Sequence, residues 1–164
     1  MRIAVLGYVG SGKTYVSNYI SERKSIPCLH LDSVKYDKEW KLIDNSVIMP
    51  QVEEFMEKRS WIIEGFCREL LIDERLEKAD KIVILLLPRI ICLLRVLKRK
   101  REREQEGYKS DLNWWFLKFT LFGCRNKKRR RFYAEITKKY EEKTFVLKTR
   151  KQVNEFIQSI AGQI

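Results

Sequence analysis

Eight residues near the start of the chain, Gly7-Tyr8-Val9-Gly10-Ser11-Gly12-Lys13-Thr14, match the pattern G-x-x-x-x-G-K-[ST] at every fixed position. Glycines let a backbone turn tightly and aim consecutive N–H groups at one point, where phosphate oxygens accept them. A helix starting near Lys13 adds the positive end of its dipole. The lysine reaches the terminal phosphates, and the hydroxyl beside it can be a Mg²⁺ ligand. The surroundings fit: Ile3–Leu6 is a short apolar run of strand type, and Thr14–Lys24 carries Val16, Tyr19 and Ile20 at helical spacing. The expected ligands are ATP and Mg²⁺. Gly7, Val9, Gly10, Ser11, Gly12, Lys13, Thr14 and Tyr15 are the expected nucleotide-binding residues.

Other chemistry-bearing residues recur at the ends of apolar runs. His30-Leu31-Asp32 closes the second run. Asp32 has the chemistry to accept a proton from a substrate hydroxyl or to help hold Mg²⁺; the competing reading is a helix N-cap ahead of residues 33–36. His30 reads more readily as a packed strand residue than as a catalyst. Arg95 and Arg99 stand four apart, so on a helix they share a face, and their planar forks suit phosphate oxygens. Lys98, Lys100, Arg101 and Arg103 make a solvated basic face the competing reading. Of Arg129, Arg130 and Arg131, one is expected to reach the nucleotide, with Tyr133 and Thr137 structural.

The elements that must position these residues alternate. Strands are expected at Ile3–Leu6, Pro27–Leu31, Trp61–Ile63, Lys81–Leu87 and Thr144–Leu147. Helices are expected at Thr14–Lys24, Met49–Arg59, Leu70–Lys78, Ile90–Glu106, Leu112–Phe122, Arg125–Glu142 and Lys151–Ile160. This alternation predicts an α/β fold, three layers around five parallel strands. The 164 residues form one domain, with 45% hydrophobic residues to fill a core and 34% charged, too many for a membrane protein. Four scattered cysteines and a single histidine argue against a zinc site or a disulfide framework, so a reduced, cytoplasmic setting is expected. Asn126-Lys127-Lys128-Arg129 fails the N-K-x-D guanine-reading pattern at its last position.

Charge divides the chain. Residues 1–94 hold fourteen basic and fourteen acidic side chains, whereas residues 95–150 hold nineteen and seven. The whole excess of +12 lies in that third, which is suited to phosphates, nucleic acid or an acidic membrane surface. Within it, Leu112, Trp115, Phe116, Phe119 and Phe122 form one helical stripe, expected to pack against the core. Trp114 lies off the stripe and is the better candidate for an exposed contact.

Several stretches resemble adenylate kinases. Ser60-Trp-Ile-Ile-Glu-Gly-Phe-Cys-Arg68 resembles that family's strand and turn L-L-D-G-F-P-R, with Cys67 in place of proline. The resemblance implies that Glu64 lies near Mg²⁺ and that Arg68 holds the acceptor phosphate. Pro88 followed by Arg95 and Arg99 looks like the family's pair of lid arginines, and Arg129, Tyr133 and Thr137 follow its R-x-x-x-Y-x-x-x-T spacing. Lys148-Thr-Arg150 stands where the family's loop flanks adenine, which implies a nucleotide contact for Arg150. Asp32 is similar instead to the acceptor-side aspartate of shikimate-type kinases. The combination of H-L-D, the aromatics Tyr36 and Trp40, W-I-I-E-G and P-R-x-x-C-L-x-R-V-x-K-R most resembles bacterial topology-modulation (FlaR-related) proteins.

The expectation is thus a P-loop phosphotransferase with an acceptor-binding segment at about 32–60 and a basic aromatic lid at about 100–128. It transfers the γ-phosphoryl of ATP to a nucleotide or a small hydroxyl-bearing acceptor. Lys13, Asp32, Arg95 and Arg99 are the catalytic candidates, Asp32, Glu64, Arg68 and Arg129 the substrate-binding ones, and Thr14 and Glu64 the metal-holding ones. The rival reading is an ATP-binding, nucleic-acid-associated protein that uses the basic segment.

Overall fold

The computed structural model describes residues 1–35, 41–105 and 113–162. Tyr36, Trp40 and Leu112 lie outside them, as do parts of the expected acceptor segment and lid. Five parallel strands, β1 (Arg2–Gly7), β2 (Cys28–His30), β3 (Trp61–Glu64), β4 (Lys81–Leu85) and β5 (Thr144–Leu147), form one sheet in the order β2-β3-β1-β4-β5. The helices are α1 (Lys13–Lys24), α2 (Leu31–Val34), α3 (Asn45–Met56), α4 (Ile72–Lys78), α5 (Arg89–Gln105), α6 (Trp114–Leu121), α7 (Lys127–Lys139) and α8 (Arg150–Gly162).

Side chains alternate across the central strand and build two cores. Ala4 and Leu6, with Ile63, Ile82 and Ile84, face Val52 and Met56 of α3, Leu76 of α4, and Tyr133 and Ile136 of α7. Ile3 and Val5, with Ile62, Val83 and Leu85, face Val16 and Ile20 of α1, Cys92 of α5, and Phe156 and Ile160 of α8. Burial on both faces explains why these strands read as continuous apolar runs. The expected three-layer architecture holds.

The boundaries differ where local chemistry acts. β2 stops at His30 because Leu31 opens α2, and β4 ends at Leu85, ahead of Pro88. Asp44 caps α3 by accepting from the Ser46 N–H at 2.8 Å, so that helix starts one turn before the expected Met49 and carries Pro50 inside. Leu71, left-handed at φ 53°, delays α4 to Ile72. Asn126 caps α7 through the Arg129 N–H at 2.8 Å, separating it from a short 3₁₀ turn at Gly123–Arg125.

Arg75 of α4 is a buried cation, 1% exposed, that the sequence did not single out. Its guanidinium donates to the Cys67 carbonyl at 2.6 Å and the Gly65 carbonyl at 3.4 Å, so it shapes the turn that carries Arg68. Burial lowers its pKa to about 10. We expect Arg75→Met to lower the unfolding free energy by about 3 kcal/mol, because two buried carbonyls lose their donor. Urea denaturation measures this; a loss within about 0.5 kcal/mol would show that the turn holds itself.

Candidate functional site

The loop between β1 and α1 lies at the C-terminal edge of the sheet, where ligands of open α/β sheets collect. Gly7, Gly10 and Gly12 all have positive φ, at 148°, 72° and 92°. Close approach also demands glycine. A Cβ on Gly7 would collide with the Leu85 carbonyl, one on Gly10 would lie 2.5 Å from the Cys92 carbonyl, and one on Gly12 would lie 2.6 Å from Arg95 Nη1. α3, α6 and α7 are each capped by a side chain, whereas α1 starts at Gly12 with none and with no acid in its first turn. Its first N–H groups therefore keep their capacity for an anion. The buried Ser11 hydroxyl beside them also lacks a hydrogen-bond partner among the described residues.

A buried carboxylate organises the floor. Register pairs Val5 with Glu64 and Glu64 with His30 across three strands. Thr14 Oγ1 donates to Glu64 Oε2 at 3.3 Å, His30 Nδ1 lies 2.9 Å from the same oxygen, and Lys13 Nζ lies 3.9 Å from Oε1 while donating to the Tyr8 carbonyl at 3.2 Å. His30 Nε2 lies 2.9 Å from Asn18 Oδ1. A neutral ring donates through one nitrogen, so Nδ1–H serves the carboxylate when the Asn18 amide turns to donate to Nε2. His30 is thus more than a packed strand residue: it orients Glu64, and Asn18 orients His30. Asn18 carried no motif, and only its position one turn after Thr14 could have signalled it.

Of the arginines, Arg95 is half-buried and donates to the Ser11 carbonyl at 2.7 Å, within the loop itself. Arg99, one turn on, is exposed. Arg68 is exposed and stacks over the Phe132 ring at 4.8 Å; Arg129 is half-buried over Phe66 at 3.9 Å. Those two rings meet edge to face at 5.5 Å, and Tyr133 and Tyr8 extend the cluster at 5.8 and 5.7 Å. Arg130 is exposed, and Arg131 pairs with Glu135 at 2.8 Å. Arg125, missed as a functional position, lies 4.0 Å over the Tyr8 ring and donates to the Leu87 carbonyl at 2.8 Å, tying the loop's first residues to the end of β4. Tyr133 is buried, and Thr137 Oγ1 bonds its carbonyl at 2.8 Å, both structural placements.

Asp32 lies exposed in the first turn of α2, where the N-cap position belongs to His30, so the capping alternative fails. Tyr15 is exposed on α1, Val9 is half-buried in the loop, and Arg150 is exposed at the start of α8. The helix after β5 is capped reciprocally by Thr149 and Gln152. The aromatic stripe also needs correction. Trp115 and Phe122 are exposed, and Trp115 stacks on Phe119 at 5.4 Å without being covered; Phe119 alone of these three packs against the core.

Thr14 and Glu64 offer two hard oxygen donors side by side. Mg²⁺ is held by such a pair when phosphates and water fill the remaining positions, so the residues fit that ion. Among the described residues no group of three or more His, Cys, Asp or Glu could hold a metal without such help.

No family model matches the chain, and no curated protein matches its sequence. Solved structures do match. A candidate kinase from Chloroflexus aurantiacus is similar with a TM-score of 0.58 and 16% identity, over 99% of this chain and 97% of that one. Deoxyadenosine kinase from M. mycoides gives 0.57 and 17%, over 98% of both chains. Shikimate kinase from Bacteroides thetaiotaomicron gives 0.50 and 17%, over 98% and 96%. The chain shares the fold of these three structures, a five-stranded parallel sheet with helices on both faces. At these identities the likeness establishes architecture alone.

Cys28 reports on the carboxylate. Burial and the nearby Glu64 charge push its thiol up to about 12. At pH 8 its alkylation should be slower than in the denatured chain by about two to three orders of magnitude, since only the thiolate reacts. Glu64→Gln should speed labelling, because removing the negative charge lowers the thiol pKa. Peptide mass spectrometry after timed iodoacetamide exposure checks both.

Proposed function

We propose that the chain is an ATP-dependent phosphotransferase acting on a small anionic acceptor, nucleotide or hydroxyl metabolite. One observation carries the reading: Lys13, Thr14 and the buried Glu64 converge beside an uncapped helix start, in a loop whose three glycines take positive φ and press it against Leu85, Cys92 and Arg95. The chain's kinase architecture supports it.

Phosphoryl transfer asks a protein mainly for positioning and charge stabilisation. Main-chain amides of residues 10–14 hold the β- and γ-phosphates. Lys13 leaves the Tyr8 carbonyl for the phosphates, where charge builds as the γ-phosphorus moves from the leaving oxygen to the acceptor oxygen. Thr14 and Glu64 would hold Mg²⁺, which neutralises phosphate charge when bound. Arg95, steered by the Ser11 carbonyl, lies beside the loop for the transferring group, and Arg99 adds charge from the next turn. Arg68 and Arg129 fix the acceptor's anionic group on the Phe66–Phe132 platform. Stacking holds their guanidinium planes while leaving N–H edges for oxygens. Asp32, at the open edge, accepts the proton of an acceptor hydroxyl. Arg150 and Tyr15 contribute on the nucleotide side.

The closer relation to adenylate kinases and to topology-modulation proteins rests on the motifs at Gly7–Thr14, Ser60–Arg68 and Pro88–Arg99. The cytoplasmic setting rests on the cysteine pattern; among the described residues no helix is long and apolar enough to cross a membrane.

An ADP-release screen against nucleoside monophosphates, nucleosides and sugars tests the reading. Lys13→Ala should lower turnover at least about a hundredfold, the scale of losing one oxyanion-type donor; unchanged turnover defeats the assignment. Arg68→Ala should raise the acceptor KM about tenfold or more while the ATP KM stays within about twofold.

A further inference from the structure

The outward face of α5 is apolar, and among the described residues nothing covers it. Cys92 and Val96 turn inward and are buried, whereas Ile90, Leu94 and Leu97, spaced four and three apart, face away, with Ile90 69% and Leu94 56% exposed. α6 packs along α5, with Phe122 under the Arg89 guanidinium at 5.3 Å. That contact joins the end of α6 to the start of α5 and makes an antiparallel pair. α6 turns Thr120 inward and leaves Trp114 79% and Trp115 67% exposed. Five large apolar side chains and Phe122 are therefore exposed on one pair of packed helices, more than the scatter of single exposed apolar residues on ordinary surfaces.

The same hairpin is strongly basic. Residues 89–105 carry seven Lys/Arg against Glu102 and Glu104, α6 adds Lys118 and no acid, and the start of α7 that follows adds Lys127, Lys128, Arg129, Arg130 and Arg131. Both glutamates already face lysines, Lys98 and Lys100, each at 3.6 Å. Three occupants can be compared. A second copy of this chain would bring the two basic faces together. A nucleic acid would satisfy the charge and could stack on tryptophan, but its bases and phosphates give little to the aliphatic ridge Ile90, Leu94 and Leu97. An anionic bilayer surface satisfies every component. Lys and Arg meet the headgroups, tryptophans settle at headgroup depth, and the aliphatic ridge enters the acyl boundary.

We propose that the outer face of the α5–α6 hairpin docks on an anionic lipid surface. Docking uses neither the glycine loop nor Glu64, so it stands or falls apart from the phosphotransferase reading.

Flotation with vesicles of phosphatidylcholine, alone or with about 30 mol% phosphatidylserine, tests this directly. The chain should float with the anionic vesicles and not with the neutral ones. Leu94→Ser combined with Trp114→Ser leaves net charge unchanged and touches no buried residue; it should cut flotation about tenfold or more, with an unchanged thermal midpoint. Lys13→Ala should float like the parent chain. No flotation with anionic vesicles overturns the proposal. Equal flotation of the double variant also overturns it, by showing that charge alone acts. Tighter binding to duplex DNA than to vesicles, lost in the double variant, assigns the face to nucleic acid instead. Concentration-dependent dimers by light scattering, abolished in that variant, assign it to a second copy.

Discussion

A side chain at Gly7 or Gly10 has nowhere to go, and the rest of the site follows from that. Both would meet main-chain carbonyls, of Leu85 on β4 and Cys92 on α5, and backbone cannot swing aside as a side-chain tip can. The loop is therefore clamped between β4 and α5. Register does the clamping: Gly7 pairs with Leu85 in the ladder, and the Tyr8 N–H continues the contact to the Leu85 carbonyl at 3.1 Å. Arg125 closes the other side by covering the Tyr8 ring and gripping the Leu87 carbonyl. A loop held this firmly presents amides already oriented, so binding an anion orders little further chain.

Glu64 is the electrostatic counterpart. A carboxylate this buried is costly unless paired and hydrogen-bonded. Here Lys13 supplies the charge, and Thr14 and His30 supply the hydrogen bonds. The lysine sits at 3.9 Å, a loose ion pair, whereas Thr14 Oγ1 and His30 Nδ1 are closer, at 3.3 and 2.9 Å. That division leaves Lys13 free to move toward phosphate without stripping the carboxylate of its partners. Arg68 and Arg129 are arranged differently, with their guanidinium groups over aromatic faces. A guanidinium neutralised by carboxylate would resist giving itself to a ligand anion, while one stacked on phenylalanine loses little.

Much of this was legible in the chain itself. The glycine motif between an apolar run and an amphipathic segment marked strand, loop and helix together, because each needs only neighbours within a few residues. The three central strands β1, β3 and β4 were visible because a sheet covered on both faces demands continuous apolar runs, whereas the edge strands β2 and β5 carry shorter runs and are only partly buried. Boundaries shifted where single residues intervened: Asp44 and Asn126 as caps, Leu71 in a left-handed conformation. The stripe at Trp115 and Phe122 was misread for a different reason. Helical spacing says which residues share a face, and it cannot say whether another element covers that face.

What the linear order determined is the set of groups and their local conformations: a loop that needs glycine, a lysine and threonine at a helix start, arginines one turn apart. What only the folded chain decided is who meets whom. Glu64 touches Thr14 and His30 because the strand order is β2-β3-β1, which sets residues 5, 64 and 30 abreast across about ten ångströms of sheet. Asn18, Arg75 and Arg125 acquired their roles in the same way. Strand order and register are settled by the joint packing of both cores, a property of the whole chain that no short stretch of residues contains.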